Sequence, residues 1–337
     1  MDYLLYRLEF STALHIGRDG GGASLDDGQM GIHADTLLAA LCCEAARNGS
    51  ITELVDYFAD GILTISDALP FAGPELFLPK PVLFTGNKKR EGEAGLKKLL
   101  KALEYIPLSA FNEYLQGLRR GGSDLEKLRY TFERILKEIR QTGPCGVALE
   151  KLRYIFGQLT TVTRVAVKGD SPPLPYHVTA WKFASGCGLY VIVRYEREEA
   201  LDIFTSLLNR LGLSGIGGKQ SSGWGKFEAR SCPAPKELKQ LLDDRQAAYQ
   251  MLLGTALPED DELEQVLGNG WYTLVRRGGF VRSATYATGQ LKKRSLYMLG
   301  PGSCLAQRFR GGMYDLSAHG AHPVWRCGKS LFAGVNL

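Results

Sequence analysis

The sequence lacks the segments that would carry it into or across a membrane. No apolar run approaches the roughly 20 residues that span a bilayer, and the first ten residues, MDYLLYRLEF, contain no basic leader followed by an apolar stretch. The seven cysteines are scattered without a Cys-x-x-Cys pair, which argues against a disulfide framework and against a zinc site. These absences predict a cytoplasmic protein with reduced thiols and no membrane contact.

The signatures of common metabolic enzymes are also missing. Gly218-Lys219 is followed by Gln220 rather than Ser or Thr, so the phosphate-binding P-loop motif fails. Gly215-x-Gly217 lacks the third glycine of the dinucleotide-binding fingerprint, because Gln220 stands at that position. No metal-ligand spacing and no nucleophile elbow is present. A metabolic enzyme has little support, and we expect no metal and no cofactor.

The bulk composition is that of an ordinary globular protein. Of 337 residues, 45% are hydrophobic and 23% charged, which leaves room for two domains with their own cores. The formal net charge of +5 permits an anionic partner but does not require one.

Hydrophobic periodicity predicts strands alternating with helices. YLLYRLEF reads as a half-buried strand, and IHADTLLAALCCEAARNG as a helix with Asp35 as its N-cap and Asn48-Gly49 as its end. A second helix is expected at 52–59. Further on, CGLYVIVRY reads as a buried strand, EREEALDIFTSLLNRLG as an amphipathic helix and WGKFEAR as a strand. This order predicts an α+β fold with helices on one face of a sheet.

The remaining segments are predicted as additions to this frame. Residues 86–145 have the composition of a surface insertion, with helices over 109–140 broken at Gly117 and at Gly121-Gly122. Residues 160–180 combine β-branched residues with prolines and predict an extended arm or hairpin with a loose tip. PKELKQLLDDRQAAYQMLLG is expected to be one helix, and WYTLVRR, SLYMLG and LFAGV are expected to be strands.

The segment SGIGGKQSSGWGKFE (214–228) is rich in glycine between a predicted helix and a predicted strand. Five glycines favour a backbone that turns sharply or comes very close to another molecule. Successive N–H groups can form an anion-binding nest, Lys219 can pair with a phosphate, and Ser221 and Ser222 can donate to phosphate or ribose. Trp224 is either a stacking platform for a base or a core residue that begins the following strand, and the core reading is favoured.

Several motifs, in this order, resemble the RAMP superfamily of RRM-like CRISPR proteins. GIGGKQSSGWGKFE resembles its glycine-rich loop, and ALHIG…IHADTLLAAL its N-terminal signature, with Ala34 where serine is usual. FLPKPVLF…KKLLKALEYIPLSAFNEYL and GSCL…GGMYDL…HPVWRCGKSLFAGV are similar to segments of the fourth-subunit family of the type III-A Csm effector complex. TTVTRVAVKG resembles the arm of that family, from which Val167 and Lys168 depart.

The resemblance implies two ferredoxin-like (RRM-like) domains with helical and hairpin insertions, at about 1–230 and 231–337. It implies a non-catalytic subunit in antiviral defence that holds the 5′ tag of the CRISPR RNA. Its expected protein partners are the large polymerase-like subunit and the backbone RAMP subunit, and it bridges the two. It is expected to contact target RNA only indirectly.

The predicted RNA-binding residues fall into three groups. The first follows the N-terminal strand, the second lies on the arm, and the third is the glycine loop: His15, Gly17 and Arg18; Thr161, Thr163 and Arg164; and Gly215, Ile216, Gly217, Gly218, Lys219, Gln220, Ser221, Ser222, Gly223 and Trp224. The basic runs 88–90 and 292–294 either touch RNA or are solvated turns. His33 is expected to brace the start of the first helix.

Two alternatives stay open. A metal-independent RNA-processing endonuclease on the same fold would use His15 as general acid and base, although more than a hundred residues follow the glycine loop here and few follow it in such enzymes. The equivalent subunit of a type III-B complex would have the same role with different partners.

Overall fold

The computed structural model of the chain describes residues 2–18, 25–83, 103–119, 155–166, 172–283, 285–289 and 291–336. Within these ranges no helix combines the length and the apolar character needed to cross a bilayer. The predicted insertion at 86–145 is described only at 103–119, and the tip of the predicted arm, 167–171, lies outside the described residues.

Mixed helices and antiparallel strands make up the fold, as the sequence predicts. The helices are α1 (Ala34–Asn48), α2 (Ile51–Ala59), α3 (Phe111–Arg119), α4 (Glu198–Ser214), α5 (Lys236–Asp243) and α6 (Leu263–Leu267). The strands are β1 (Asp2–Phe10), β2 (Leu63–Ile65), β3 (Leu69–Ala72), β4 (Glu75–Pro79), β5 (Tyr105–Pro107), β6 (Gly157–Ala166), β7 (Leu174–Phe183), β8 (Cys187–Tyr195), β9 (Phe227–Pro233), β10 (Tyr249–Leu252), β11 (Leu274–Arg277), β12 (Leu296–Leu299), β13 (Cys304–Leu305), β14 (Met313–Asp315), β15 (Trp325–Cys327) and β16 (Phe332–Val335).

A seven-stranded sheet is built from strands between Asp2 and Pro233. Its order is β5-β4-β3-β8-β1-β9, and β2 also pairs with β8. β1 lies between β8 and β9, with Leu5 opposite Ile192 on one side and Cys232 on the other. The helices α1 and α4 contact each other, and their apolar residues Leu37, Leu41 and Phe204 are buried in the same core as the sheet. The early β-α and later β-α-β order predicted from periodicity is confirmed.

The predicted arm is a two-stranded hairpin. β6 and β7 pair in antiparallel register over ten residues each, from Gly157 opposite Phe183 to Ala166 opposite Leu174. Its outer half is mostly exposed, and its base is tied to the segment after β1 by reciprocal backbone hydrogen bonds between Leu14 and Trp181. The hairpin therefore projects from the sheet while its base is fixed to it.

The C-terminal part shares its core with the first sheet. A three-stranded sheet has the order β13-β10-β16, and β11-β12 and β14-β15 form separate two-stranded ladders. Met251 and Cys327 belong to the same buried cluster as Leu5 and Leu37. Val82 forms a parallel bridge with Ser303, which adds a backbone contact between the two parts.

Four local predictions are wrong. Residues 236–252 are not one helix, because α5 ends at Asp243 and 249–252 is the strand β10, paired with β16. Gly117 does not break a helix, since it lies within α3. The described part of the supposed surface insertion is not peripheral: Ile106 and Phe111 are fully buried in the main core.

The fourth wrong prediction concerns the start of α1. Its N-cap is His33, and Asp35 lies in the first turn, so Asp35 is not the cap. Its buried carboxylate instead accepts hydrogen bonds from Arg277 and Arg326, two guanidinium groups of the C-terminal part. His33 braces the helix start, as predicted: its Nδ1 lies 2.6 Å from the Asp67 carboxylate, which also accepts the Ala34 N–H at 2.8 Å. The predicted helix end at Asn48-Gly49 is confirmed, with Gly49 in the left-handed conformation.

Candidate functional site

The glycine-rich loop between α4 and β9 is fastened to the segment that follows β1. The Gly218 N–H donates to the His15 carbonyl oxygen at 2.8 Å, and the Gly225 N–H donates to the Ala13 carbonyl oxygen at 2.8 Å. Within the loop, the Ile216 N–H donates to the Gly225 carbonyl oxygen at 2.9 Å. The two loops that the sequence predicts to share one surface are therefore joined by backbone hydrogen bonds.

The glycines of the loop allow close approach to the chain's own atoms. A Cβ atom at Gly225, where φ is +75°, would stand 1.9 Å from the Ile216 carbonyl oxygen. A Cβ at Gly218 would stand 2.5 Å from Cδ2 of the His15 ring, and one at Gly217 would stand 2.4 Å from the His15 carbonyl oxygen. The close approach that these glycines require is made to the protein's own atoms, so the loop turns sharply, which is one of the two alternatives that the sequence left open.

His15 and Ile216 point into the protein. His15 is 7% exposed, and its Nδ1 donates to the Thr179 carbonyl oxygen at 2.5 Å, because a carbonyl can only accept. Gly218 covers the ring edge at Cδ2. Ile216 is 1% exposed and belongs to the main core. Their side chains are therefore turned into the protein and position the loop, while contact of these two residues with RNA stays a prediction.

The outer rim of the loop carries the accessible polar groups. Lys219 adopts φ +60°, and its ammonium lies 4.9 Å from the centre of the Tyr176 ring on the hairpin. A short 3-10 turn, Gln220–Ser222, follows, and Ser221 and Ser222 are exposed. Among the loop hydrogen bonds of the described residues, none is donated by the backbone N–H groups of Gly217 or Lys219. The rim thus combines a cation, two hydroxyls and backbone donors.

The hairpin and the loop meet at Arg164. Its Nη1 donates to Ser222 Oγ at 2.8 Å, and its guanidinium lies 5.0 Å from the centre of the Trp224 ring. Arg, Ser and Trp from two elements, all predicted from the sequence, are therefore brought together. The favoured reading of Trp224 as a core residue that begins the strand is wrong, because β9 begins at Phe227 and Trp224 is only half-buried.

The other predicted residues lie beside this cluster. Thr163 hydrogen-bonds to His177 across the hairpin at 3.1 Å, and Thr161 approaches the Thr179 hydroxyl at 3.4 Å. Gly17 has open space where a side chain would be, and Arg18 is exposed and pairs with Asp27 at 3.2 Å. Gly215 and Gly223 both have positive φ and shape the two ends of the loop.

Two residues at this site were not predicted. Tyr176 lies under Lys219, and Arg282, from the C-terminal part, donates from Nη1 to the Gly217 carbonyl oxygen at 3.4 Å. An aromatic residue among the prolines of the arm was a usable signal for Tyr176. Arg282 carries no local signal, because its contact joins residues 65 positions apart.

Proteins named Csm4 resemble the chain over nearly its whole length. The family described as the CRISPR Csm4 C-terminal domain matches residues 245–335. A protein of Mycobacterium tuberculosis (strain ATCC 25618 / H37Rv), "CRISPR system Cms protein Csm4", is 33% identical over 336 residues, which cover 99% of this chain and 98% of that protein. The protein of the same name from Streptococcus thermophilus is 29% identical over 341 residues, which cover 98% of each. The chain belongs to the Csm4 family.

Solved structures share the fold. A chain of the Csm3-Csm4 subcomplex of the type III-A interference complex matches with a TM-score of 0.69 at 17% identity and covers 100% of both chains. A chain of the Csm1-Csm4 cassette in complex with cA4 matches with a TM-score of 0.57 at 18% identity and covers 100% of this chain and 99% of that one. At these identities the likeness concerns the fold alone.

Proposed function

We propose that this protein is the non-catalytic Csm4 subunit of a type III-A complex and that it holds the 5′ tag of the CRISPR RNA on the rim of its glycine loop. The observation that carries the proposal is the Arg164–Ser222–Trp224 cluster, which joins the hairpin to the loop beside Lys219. Cations, hydroxyls, backbone donors and an aromatic face are the groups that bind the phosphates, riboses and splayed bases of single-stranded RNA.

The strand order supports a ferredoxin-like first unit. Along the chain β1, α1, β3, β8, α4 and β9 follow the β-α-β-β-α-β pattern, and in the sheet they give the order β9-β1-β8-β3. In this arrangement the end of β1 lies beside the start of β9, with Phe10 opposite Phe227, so the segment after β1 and the loop before β9 are neighbours. The division at 1–230 and 231–337 stays a prediction, and β9 itself extends to Pro233.

The proposed partners follow from the relatives. Solved structures named for Csm3-Csm4 and Csm1-Csm4 assemblies resemble this chain over its full length. We infer that it likewise bridges a large subunit and a backbone subunit in the cytoplasm and meets target RNA only through the complex. If the chain belonged to a type III-B complex, a pull-down with the affinity-labelled chain would recover the subunits of that complex and not those of a type III-A complex.

Charge reversal at Lys219 tests the RNA site. In purified complex, Lys219→Glu is expected to lower the affinity for guide RNA at least about tenfold, because a charge-assisted phosphate contact becomes repulsive. Lys239→Glu, on the exposed face of α5, makes the same charge change away from the loop and serves as the control. Guide-RNA content per complex, measured after purification, should fall only in the first variant.

Equal guide-RNA content in both variants would contradict the proposal. Gly217→Asp is not a suitable probe, because φ is +89° there and a Cβ would stand 2.4 Å from the His15 carbonyl oxygen, so the loop itself would be distorted.

The absence of RNA cleavage is tested separately. Incubating the purified chain with repeat RNA is expected to give binding with intact RNA, because the buried His15 ring is held between Thr179 and Gly218. Cleavage that disappears in His15→Ala would show the processing endonuclease instead.

A further inference from the structure

Charge is distributed very unevenly along the chain. Residues 265–337 contain ten Lys and Arg and a single acidic residue, Asp315, a net charge of +9. The preceding 264 residues contain 31 Lys and Arg against 35 Asp and Glu, a net charge of −4. The overall +5 therefore hides a strongly basic C-terminal part attached to a mildly acidic remainder. Such asymmetry is a signal for a nucleic-acid surface.

Much of this charge lies on one hairpin, formed by β11, β12 and the turn between them. The ladder continues beyond the strands: Phe280 bridges to Lys292, and the Lys293 N–H donates to the Gly279 carbonyl oxygen at 3.0 Å. We call the described residues of 276–294 the basic hairpin. Its exposed cations are Arg276, Arg282, Lys292 and Arg294.

The basic hairpin touches the glycine loop. Arg282 donates to the Gly217 carbonyl oxygen at 3.4 Å, and the Arg282 carbonyl oxygen accepts from Cys43 Sγ on α1 at 3.6 Å. From Arg282 back to Arg276 the chain spans at most about 20 Å, since an extended residue covers about 3.3 Å. The rim of the loop is therefore adjoined by further cations of the basic hairpin.

Aromatic side chains accompany the cations. Tyr297 is 60% exposed and lies directly opposite Arg276 in the ladder, so the two project from the same face. The ammonium of Lys292 lies 5.4 Å from the centre of the Phe280 ring. Cations that alternate with aromatic faces are what single-stranded nucleic acid needs for phosphate contact and base stacking.

The opposite face of the hairpin fixes its position. Arg277, next to Arg276 along β11, points inward and donates to Asp35 of α1 at 2.9 Å. Arg326 of β15 donates to the same carboxylate. The inward cations thus anchor the hairpin to α1. On the outer face Arg294 also donates from Nη2 to the Asp315 carbonyl oxygen at 2.7 Å, which leaves its remaining guanidinium N–H groups for a ligand.

We propose that the basic hairpin is a second RNA-binding element, which grips the sugar–phosphate backbone of the guide RNA next to the glycine loop. This inference rests on the proposed function and extends it to the C-terminal part of the chain. The ligand is single-stranded RNA, with Arg276, Lys292 and Arg294 on phosphates and Tyr297 under a base.

Matched charge removal tests the proposal on the full-length chain. The variant Arg276→Gln/Lys292→Gln/Arg294→Gln removes three exposed cations and keeps Arg282 on the loop. The control Arg197→Gln/Lys236→Gln/Lys239→Gln removes three exposed cations from the acidic part. Binding of the first roughly 16 nucleotides of the guide RNA, labelled at the 3′ end, is followed by fluorescence anisotropy over a salt series.

The hairpin variant is expected to bind RNA about tenfold more weakly at low salt. A plot of log affinity against log salt concentration should also be less steep by about 2 for this variant, because each of the three lost phosphate contacts reduces the slope by about 0.7. The control should keep the slope of the unchanged chain. Tyr297→Ala should weaken binding about fivefold or more without changing the slope, since stacking involves no counterion release.

The outcomes separate this inference from the proposed function. If the unchanged chain and Lys219→Glu bind RNA equally weakly, the proposed function fails. If Lys219→Glu weakens binding while the hairpin variant behaves like the control, only the hairpin proposal is overturned. If the hairpin variant binds RNA normally but no longer retains the large subunit in a pull-down, the surface serves a protein and the proposal is also overturned.

Discussion

Gly223 and Gly225 lie two positions apart in the glycine loop, and both have positive φ, at +79° and +75°. Around Gly223 nothing lies within 4 Å of a Cβ position, whereas at Gly225 the Ile216 carbonyl oxygen would be 1.9 Å away. The backbone conformation is equally strained for any L residue, so the difference between the two positions isolates the effect of close packing.

Alanine at these positions should therefore have unequal effects. Gly223→Ala is expected to lower the free energy of unfolding by about 1–2 kcal/mol, the cost of a left-handed residue with a side chain. Gly225→Ala should cost about 2 kcal/mol more, because a backbone oxygen must move. Urea unfolding of both variants measures this, and equal losses would contradict the packing explanation.

His33 gives the protein a titratable contact. Burial and the charge of Arg326 lower the pKa of His33. The Asp67 carboxylate, 2.6 Å from Nδ1, and the nearby Asp35 raise the pKa, and their effect is larger. The net pKa of His33 is above its ordinary value. A raised folded-state pKa means that protonated His33 stabilises the fold fully below the unfolded pKa of about 6.5. This contribution is lost as the pH rises through the folded-state pKa.

His33→Gln should remove that pH dependence. The difference in free energy of unfolding between the unchanged chain and the variant is expected to be largest below about pH 6 and to shrink as the pH rises. Lys293, whose pKa is lowered to about 8 mainly by burial, titrates in both proteins and cancels in the difference. A difference that is constant with pH would show that His33 acts only as a neutral hydrogen-bond partner.

At the scale of elements, the buried carboxylate of Asp35 connects α1 to β11 and β15. It faces two guanidinium groups, and burial together with the charge of Arg326 lowers the pKa of Arg277 to about 9. Without the carboxylate, two buried cations would face each other. These three elements are thus held together by charge balance as well as by apolar contact.

Asp35→Asn is expected to lower the free energy of unfolding by about 3–5 kcal/mol, because it leaves buried cations without compensation. Asp56→Asn, on the exposed face of α2, is the matched control and should change the free energy by no more than about 0.5 kcal/mol. Chemical unfolding of the two variants provides the measurement. A small effect at Asp35 would mean that other groups neutralise Arg277 and Arg326.

The elements that the sequence predicted well are those with a strong local pattern. Alternation in YLLYRLEF and the apolar run in CGLYVIVRY were enough to locate β1 and β8. Residues 236–252 were misread because their Leu-rich composition favours helix throughout, whereas Tyr249–Leu252 becomes a strand by pairing with Phe332–Val335. Asp35 looked like a cap because its true partners are 242 and 291 residues away.

The site residues that could be predicted are also those with a local pattern in the sequence. The loop was predictable because glycine, lysine and serine cluster in the sequence, and Arg164 because it lies close to Thr161 and Thr163 on the arm. That His15 and Ile216 face inward was not predictable, since their burial depends on Thr179 and on the main core.

At the scale of the whole molecule, the C-terminal part contributes to the main core and also has a smaller cluster of its own, which includes Leu252, Leu299 and Phe309. Met251 and Leu253 of the C-terminal part lie in the same buried cluster as the first sheet, and Asp67 accepts the Thr255 N–H at 2.9 Å. We therefore expect the two predicted domains to unfold together as one cooperative unit.

Heating the full-length chain is expected to give a single cooperative transition, with the calorimetric enthalpy equal to the van't Hoff enthalpy. Asp35→Asn should lower the temperature of that one transition by about 5 °C rather than split it. Two resolved transitions, in the unchanged chain or in the variant, would show that residues 245–335 unfold independently.

The central place of β1 also affects synthesis. Its two neighbours, β8 and β9, are made about 180 and 220 residues later, so the strand leaves the ribosome long before either edge can be paired. Until then an apolar segment with open hydrogen-bonding edges is exposed to other nascent chains. Cells that make this protein are expected to depend on chaperone protection, or on a waiting RNA or protein partner, during that interval.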